Sequence, residues 1–128
     1  MNDVIRITIP LQPISKKNSQ QILVNKATGR PFIMPSRQYL NFEKACAEYL
    51  TRLEIDYPVN IKCVFYMGTR RKCDLTNMLE AIDDILVKYR VIVDDNYSVV
   101  AGHDGSRIDY CKEKPRTEIE IRRIEEVQ

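Results

Sequence analysis

At 128 residues the chain is long enough for one domain with a real core and too short for two. Its hydrophobic content of 44% is ordinary for a soluble protein, and no apolar run approaches the ~20 residues of a membrane-spanning helix. The net charge of +2 selects no partner by itself, so the distribution of charge has to carry the reading.

In chain order, Val4 to Ile9 is β-branched and partly alternating, which predicts a strand ended by Pro10. Residues 10–29 are polar and turn-rich, with Ser15-Lys16-Lys17-Asn18-Ser19 at their centre and room for a short strand at Ile22-Leu23-Val24. Pro31 to Pro35 is a second short strand that can pair with it across the Gly29 turn. Ser36 reads as an N-cap for a helix over 37–53, whose apolar residues Tyr39, Leu40, Phe42, Cys46, Tyr49, Leu50 and Leu53 recur at helical steps. After Pro58, alternation of Val59, Ile61, Cys63, Phe65 and Met67 with more polar neighbours predicts a half-buried strand. A second helix over 75–89 gathers Leu75, Met78, Leu79, Ile82, Ile85, Leu86 and Tyr89 on one arc. Val91-Ile92-Val93 follows as a short apolar run. Strands are then expected at 98–103 and 116–124, with residues 106–115 extending the first of these or turning. The expected architecture is α+β: a small mixed or antiparallel sheet with two main helices packed on it, in one domain over 1–128.

Between Asp74 and Asp95 stand six acids and only two bases, directly after the basic run Arg70-Arg71-Lys72. Asp74 opens the second helix, Glu80 and Asp84 share its polar flank, and Asp94-Asp95 follow the apolar run beyond it. A helix of about 15 residues spans ~22 Å before the chain returns, so acids at its two ends converge if helix and strand pack on one sheet. Carboxylates beside a basic cluster suit a hard divalent cation next to a phosphate. The competing reading is structural: an acid at a helix N-terminus complements the dipole, and Asp94-Asp95-Asn96 is good turn chemistry. Residues 14–38 carry Lys16, Lys17, Lys26, Arg30 and Arg37 without one acid, a pattern that fits either a phosphate backbone or a solvated basic loop. A further basic cluster, Arg107, Lys112, Lys114 and Arg116, lies near the last strands, and Tyr39, Tyr49 and Tyr66 suit core positions better than base stacking.

The four cysteines are widely spaced without a Cys-x-x-Cys pair, so they are expected as core or incidental thiols rather than zinc ligands. His103 is the sole histidine, which excludes a two-histidine mechanism; before Asp104-Gly105 it suits a turn or strand end. Residues 1–6 lack the layout of a secretory signal, and the expected location is the cytoplasm.

The run from Arg70 through Asp74-Leu75-Thr76-Asn77 to Glu80, then Asp83-Asp84-Ile85-Leu86 and Val93-Asp94-Asp95, resembles the RusA family of Holliday-junction resolvases. Pro13-Ile14-Ser15-Lys16-Lys17-Asn18 is similar to that family's early loop. The resemblance implies a small homodimer that binds four-way DNA junctions and nicks two opposed strands with Mg2+, Mn2+ being a possible substitute. It implies Asp74 and Asp95 as metal ligands, Asp94 as an assisting neighbour, Asp84 as the acid within the helix, and Asn77 as a residue that orients the helix start. Lys16, Lys17, Asn18, Arg70, Arg71 and Lys72 would contact DNA.

Two positions depart from the family pattern. The second acid of its Asp-x-Asp-Asn motif is Thr76, and its helix lysine is Glu80. Thr76 can still position a water, and Glu80, on the same face as Asp74, can restore the lost carboxylate. The expected site is therefore Asp74, Glu80 and Asp95 with Asp84 beside them. The expected function is a magnesium-dependent, structure-selective endodeoxyribonuclease of DNA recombination and repair. A junction-binding module without catalysis is the alternative that Thr76 and Glu80 motivate, and a structural protein with a solvated acidic helix is a third.

Overall fold

A computed structural model describes residues 4–16 and 20–125, the side chains of Gln20 and Gln21 excepted. In chain order it holds β1 (Val4–Ile9), β2 (Gln20–Val24), β3 (Pro31–Pro35), α1 (Arg37–Cys46), β4 (Val59–Met67), α2 (Leu75–Lys88), β5 (Val100–Gly102), β6 (Arg107–Tyr110) and β7 (Arg116–Arg123). The fold is α+β, as expected. No helix among the described residues is long and apolar enough to cross a membrane.

The alternation of residues 59–67, broken only where Val64 is buried between Cys63 and Phe65, suits β4 to the centre of the sheet, paired on both edges. One edge of β4 pairs antiparallel with β7, which pairs antiparallel with β1. Its other edge is shared by two short parallel strands, β5 near its start and β6 at its end. Strand β4, helix α2 and strand β5 thus form a parallel crossover, the connection a helix makes between parallel neighbours. Between β5 and β6 the backbone ladder is interrupted, and side chains close the gap. Asn60 donates to Asp104 O at 3.1 Å and accepts from Asp104 N–H at 2.8 Å, while Ser106 Oγ accepts from Cys63 N–H at 3.0 Å. Strands β2 and β3 form a separate antiparallel hairpin.

One face of the sheet is apolar and buried. Ile9, Ile61, Cys63, Phe65, Ile119 and Ile121 meet Met78, Ala81, Ile82, Ile85 and Leu86 of α2 and Tyr39, Phe42 and Cys46 of α1 in one cluster. The opposite face carries ion pairs such as Arg116–Glu118 at 2.6 Å and Arg122–Glu120 at 2.7 Å. All four cysteines are free thiols; Cys46 and Cys63 are buried, and burial pushes the Cys46 thiol up to about 12. Ser36 caps α1 as read, accepting from Tyr39 N–H at 3.1 Å.

Helix α1 stops seven residues before the expected end at Leu53, closing in a short 3-10 turn over Ala47–Tyr49. The cause is a competing backbone partner. Leu53 and Glu54 N–H both donate to Arg90 O, Ile55 N–H donates to Val91 O, and Val93 N–H donates back to Ile55 O. Leu53, counted on the apolar stripe, is consequently exposed. The expected strand over 98–103 contracts to three residues, and residues 106–115 supply β6 as a strand of its own.

His103 follows β5 and ties sheet to helix: Nδ1 lies 2.8 Å from Ile61 O and Nε2 lies 2.9 Å from Asp83 Oδ2. The hydrogen bond to Asp83 raises the His103 pKa above its ordinary value, outweighing partial burial. A protonated His103 therefore stabilises the fold fully below its unfolded pKa of about 6.5, and the contribution disappears as pH rises through the higher folded value. His103→Gln should lower stability at pH 6 by about 1–2 kcal/mol. It should also flatten the decline between pH 6 and 9, both measured by urea unfolding at successive pH values.

Candidate functional site

The acids of α2 and the loop after it fall into two groups. At the helix start, Asp74 occupies the N-cap position, yet its side chain makes no capping bond to the helix backbone. Its carboxylate instead accepts from Asn77 Nδ2 at 3.3 Å. Capping therefore does not account for this acid. Further along, Asp84 lies beside the 94–96 turn. There Asp94 Oδ1 accepts from Asp95 N–H at 2.7 Å, and Asn96 Oδ1 accepts from Ser98 N–H at 2.9 Å. Asp94 and Asn96 thus do the turn chemistry their sequence suggested.

Asp95 registers its surroundings in its pKa, which is raised first by desolvation, then by its hydrogen bond with Asp94 and by the charge of Asp84. The charge of Asp84 reaches Asp95, which groups Asp84 with the Asp94–Asp95 turn rather than with Asp74 at the helix start. Ten residues of helix separate Asp74 from Asp84, about 15 Å along the axis. Glu80 and Thr76 are exposed on the intervening turns. Among the described residues no three His, Cys, Asp or Glu side chains are gathered closely enough to hold a metal ion. A magnesium ion takes one or two protein carboxylates and fills its octahedron with water and substrate phosphate. The Asp94–Asp95 pair with Asp84 nearby has the oxygen donors such an ion prefers, and a bound cation would offset the desolvation and the neighbouring charge that raise the Asp95 pKa.

Lys16 reaches from the N-terminal loop to Asp84, Nζ to Oδ2 at 3.1 Å, and its ammonium lies 5.8 Å from the centre of the Tyr39 ring. Both partners are partly exposed, so the pair is worth at most about 1 kcal/mol and matters more for placing the loop. That loop is anchored at Gly68, whose N–H donates to Gln12 Oε1 at 2.8 Å. A Cβ at Gly68 would stand 2.7 Å from that oxygen and 2.8 Å from Pro115 Cγ, so only glycine allows the approach. Lys17 and Asn18 lie outside the described residues.

Between this loop, the start of α1 and the start of α2 opens a cleft of about 250 Å³, with Gln12, Ser15, Gln38, Thr69, Arg71 and Lys72 on its walls. Arg70 turns away from it and stacks its guanidinium on Tyr110, 3.9 Å from the ring centre. The second basic cluster is partly neutralised: Arg107 pairs with Asp109 at 3.7 Å, and Arg116 lies between Glu118 and the Tyr66 ring. Tyr39 is wholly buried, as a core reading requires. Tyr66 is half-buried beneath the Arg116 guanidinium and outside the core cluster, and Tyr49, also read as core, is exposed because α1 ends before it.

Sequence reasoning missed Gln12, Gln38 and the Lys16–Asp84 pair. Only the single glycine ending β4 hinted at a close approach there.

A family model described as Endodeoxyribonuclease RusA matches residues 10–122, nearly the whole chain. No curated protein matches the chain significantly.

The crowding of carboxylates gives a direct expectation for Asp95. A carboxyl-carbon NMR titration should place it above the ordinary aspartate value of about 3.9, and Asp84→Asn should bring it down. An unchanged Asp95 titration in that variant would show that the two carboxylates do not share a field.

Proposed function

The chain belongs to the RusA endodeoxyribonuclease family, and from that premise we propose that it resolves Holliday junctions by paired nicks. In this reading residues 1–128 form one domain, which acts in the cytoplasm as a homodimer in DNA recombination and repair. The observation that carries the reading is local. A basic cleft bearing Arg71 and Lys72 opens at the end of α2 that begins with Asp74, while Asp84, Asp94 and Asp95 crowd the same helix further on.

Arg71 and Lys72 neutralise the phosphates of a strand lying in the cleft, and Lys16 adds a cation beside Asp84. Arg70, fixed on Tyr110, faces the backbone from the cleft's outer side. Asp74, Asp95, Asp94 and Glu80 are the proposed magnesium ligands. Asp94 and Asp95 stand on the turn side with Asp84 beside them, and Asp74 and Glu80 on the helix-start side, where Asn77 holds the Asp74 carboxylate in place. An ion on either side takes the carboxylates of that side alone. Magnesium, or manganese in its stead, would supply charge neutralisation at the scissile phosphate and lower the pKa of its bound water. Thr76 orients a water where the family pattern has an acid. A two-fold dimer matches the pseudo-symmetry of a four-way junction and presents one site to each opposed strand.

The second reading, a branched-DNA-binding module without catalysis, is favoured by Thr76 and Glu80 and by the lack of a gathered three-acid cluster among the described residues.

Cleavage of a labelled synthetic four-way junction separates the two. The nuclease reading expects paired nicks with magnesium and none with chelator. It also expects a loss on the order of 10²-fold or more in Asp74→Asn and Asp95→Asn. Glu80→Ala should weaken metal dependence if Glu80 is a ligand, and an unchanged magnesium titration would remove it from the set. Junction binding without nicking would establish the module instead.

A further inference from the structure

The seven tyrosines differ in what covers their rings. Tyr39 is wholly buried, and Tyr49 has 36% of its surface open. Cations lie over four more: Arg123 over Tyr57, Arg116 over Tyr66, Lys88 over Tyr89 and Arg70 over Tyr110. Tyr97 has neither kind of cover. It is 87% exposed, more than any other large apolar or aromatic side chain among the described residues, and none of those residues lays a ring or a cation on it.

The backbone beneath this ring is fixed. Asn96 Oδ1 accepts from Ser98 N–H at 2.9 Å and from the Ser98 hydroxyl. Asn96 O accepts from Val99 N–H at 3.0 Å and from Val100 N–H at 2.8 Å, and Val99 is buried. On the other side Asp94 Oδ1 accepts from Asp95 N–H. A tyrosine on so well-bonded a turn has only two side-chain torsions left to lose when a flat ligand covers it.

Single exposed aromatics are ordinary on protein surfaces, but this one stands two residues after Asp95. Two residues of chain reach at most about 7 Å, and two nucleotides of a DNA strand rise about as far at ~3.4 Å each. A phosphate brought to the Asp94–Asp95 turn therefore has its own base, or the next, within reach of the ring. Asp84, Asp94 and Asp95 repel phosphate, so stacking, which does not depend on charge, is the attraction suited to this spot. A tyrosine face stacks on any base, whatever the sequence.

We propose that Tyr97 is a stacking platform for an unpaired nucleobase next to the phosphate that the Asp94–Asp95 turn receives. The inference rests on the junction-cleaving reading above and assigns part of its structure selectivity to this residue. Bases within a duplex have both faces covered by their neighbours, and freeing one costs least where it is already unpaired. Tyr97 therefore favours branched DNA over linear duplex without reading sequence.

The probe is a four-way junction carrying 5-iodouracil at successive positions around its centre, irradiated with the full chain in magnesium. Mass spectrometry should find a crosslink to Tyr97 from positions beside the branch, and none from the same base deep in linear duplex. Fluorescence anisotropy should give Tyr97→Ala a junction affinity about 10-fold or more below wild type, with Tyr97→Phe within about 2-fold and linear-duplex affinity unchanged in both. Far-UV circular dichroism checks that the variants remain folded, as an exposed position allows. Absent crosslinks, crosslinks that map elsewhere, or a Tyr97→Ala variant that binds junctions as wild type does would overturn the proposal. An equal loss on duplex and junction would overturn it in favour of a general DNA contact. Altered sedimentation with unaltered DNA affinity would overturn it in favour of a protein contact. A wild type that crosslinks through Tyr97 but never nicks contradicts the cleavage reading and leaves the platform standing; one that nicks with Tyr97 silent in both assays does the reverse.

Discussion

Everything at the acidic site depends on how α2 ends. After Lys88 the helix closes with Arg90 in the left-handed region, φ 60°, Arg90 N–H donating to Val87 O at 3.0 Å and Val91 N–H to Leu86 O at 2.9 Å. This is a Schellman turn made without glycine. The strain of a non-glycine residue there is offset by its neighbours. Arg90 O accepts from both Leu53 and Glu54 N–H, and the Arg90 guanidinium lies 3.1 Å from Glu54 Oε1. Glu54 is itself left-handed, with φ 52°. Two unfavourable backbones facing each other lock residues 53–55 against 90–93. Burial of Ile55, Val91 and Ile92 seals the contact. The chain then leaves in the one direction that brings Asp94 and Asp95 back beside Asp84.

The same constraint explains why α1 is short and why the sheet is mixed. Backbone drawn into pairing with 90–93 cannot continue α1, and the return from α2 delivers β5 parallel to β4. Function and topology share a cause here. The crossover that makes β5 parallel is the segment that carries the Asp94–Asp95 turn, while the loop before α2 carries the basic wall of the cleft. Opposite charges are thus placed on one helix by its two flanking connections, and Lys16 links the N-terminal loop to the acidic side.

Much of this was legible in the sequence because it follows from periodicity. The alternation of β4, the apolar arc of α2, the Ser36 cap and the Gly29 hairpin all appear where their residues require. What escaped was non-local. Nothing in residues 47–53 signals that Arg90 O would outbid the helix for their successors, since that partner is nearly forty residues away. His103 reads locally as a strand-end residue, which it is, yet its bond to Asp83 depends on the crossover bringing α2 over β4. The acids were found as a set, but their division into a helix-start group and a turn group follows from helix length and from which carboxylates feel each other. The exposure of the hairpin's Ile22, Val24 and Ile33, by contrast, is not legible in a segment that reads like any pair of half-buried strands.

The central claim is that the acids of α2 and of the turn after it hold a divalent cation. It is tested most directly by adding magnesium to the isolated protein and following backbone amide shifts by NMR. The account predicts saturable changes at Asp84, Asp94 and Asp95, reversed by chelator. Shifts absent at millimolar magnesium, or scattered over the surface without saturation, would contradict it.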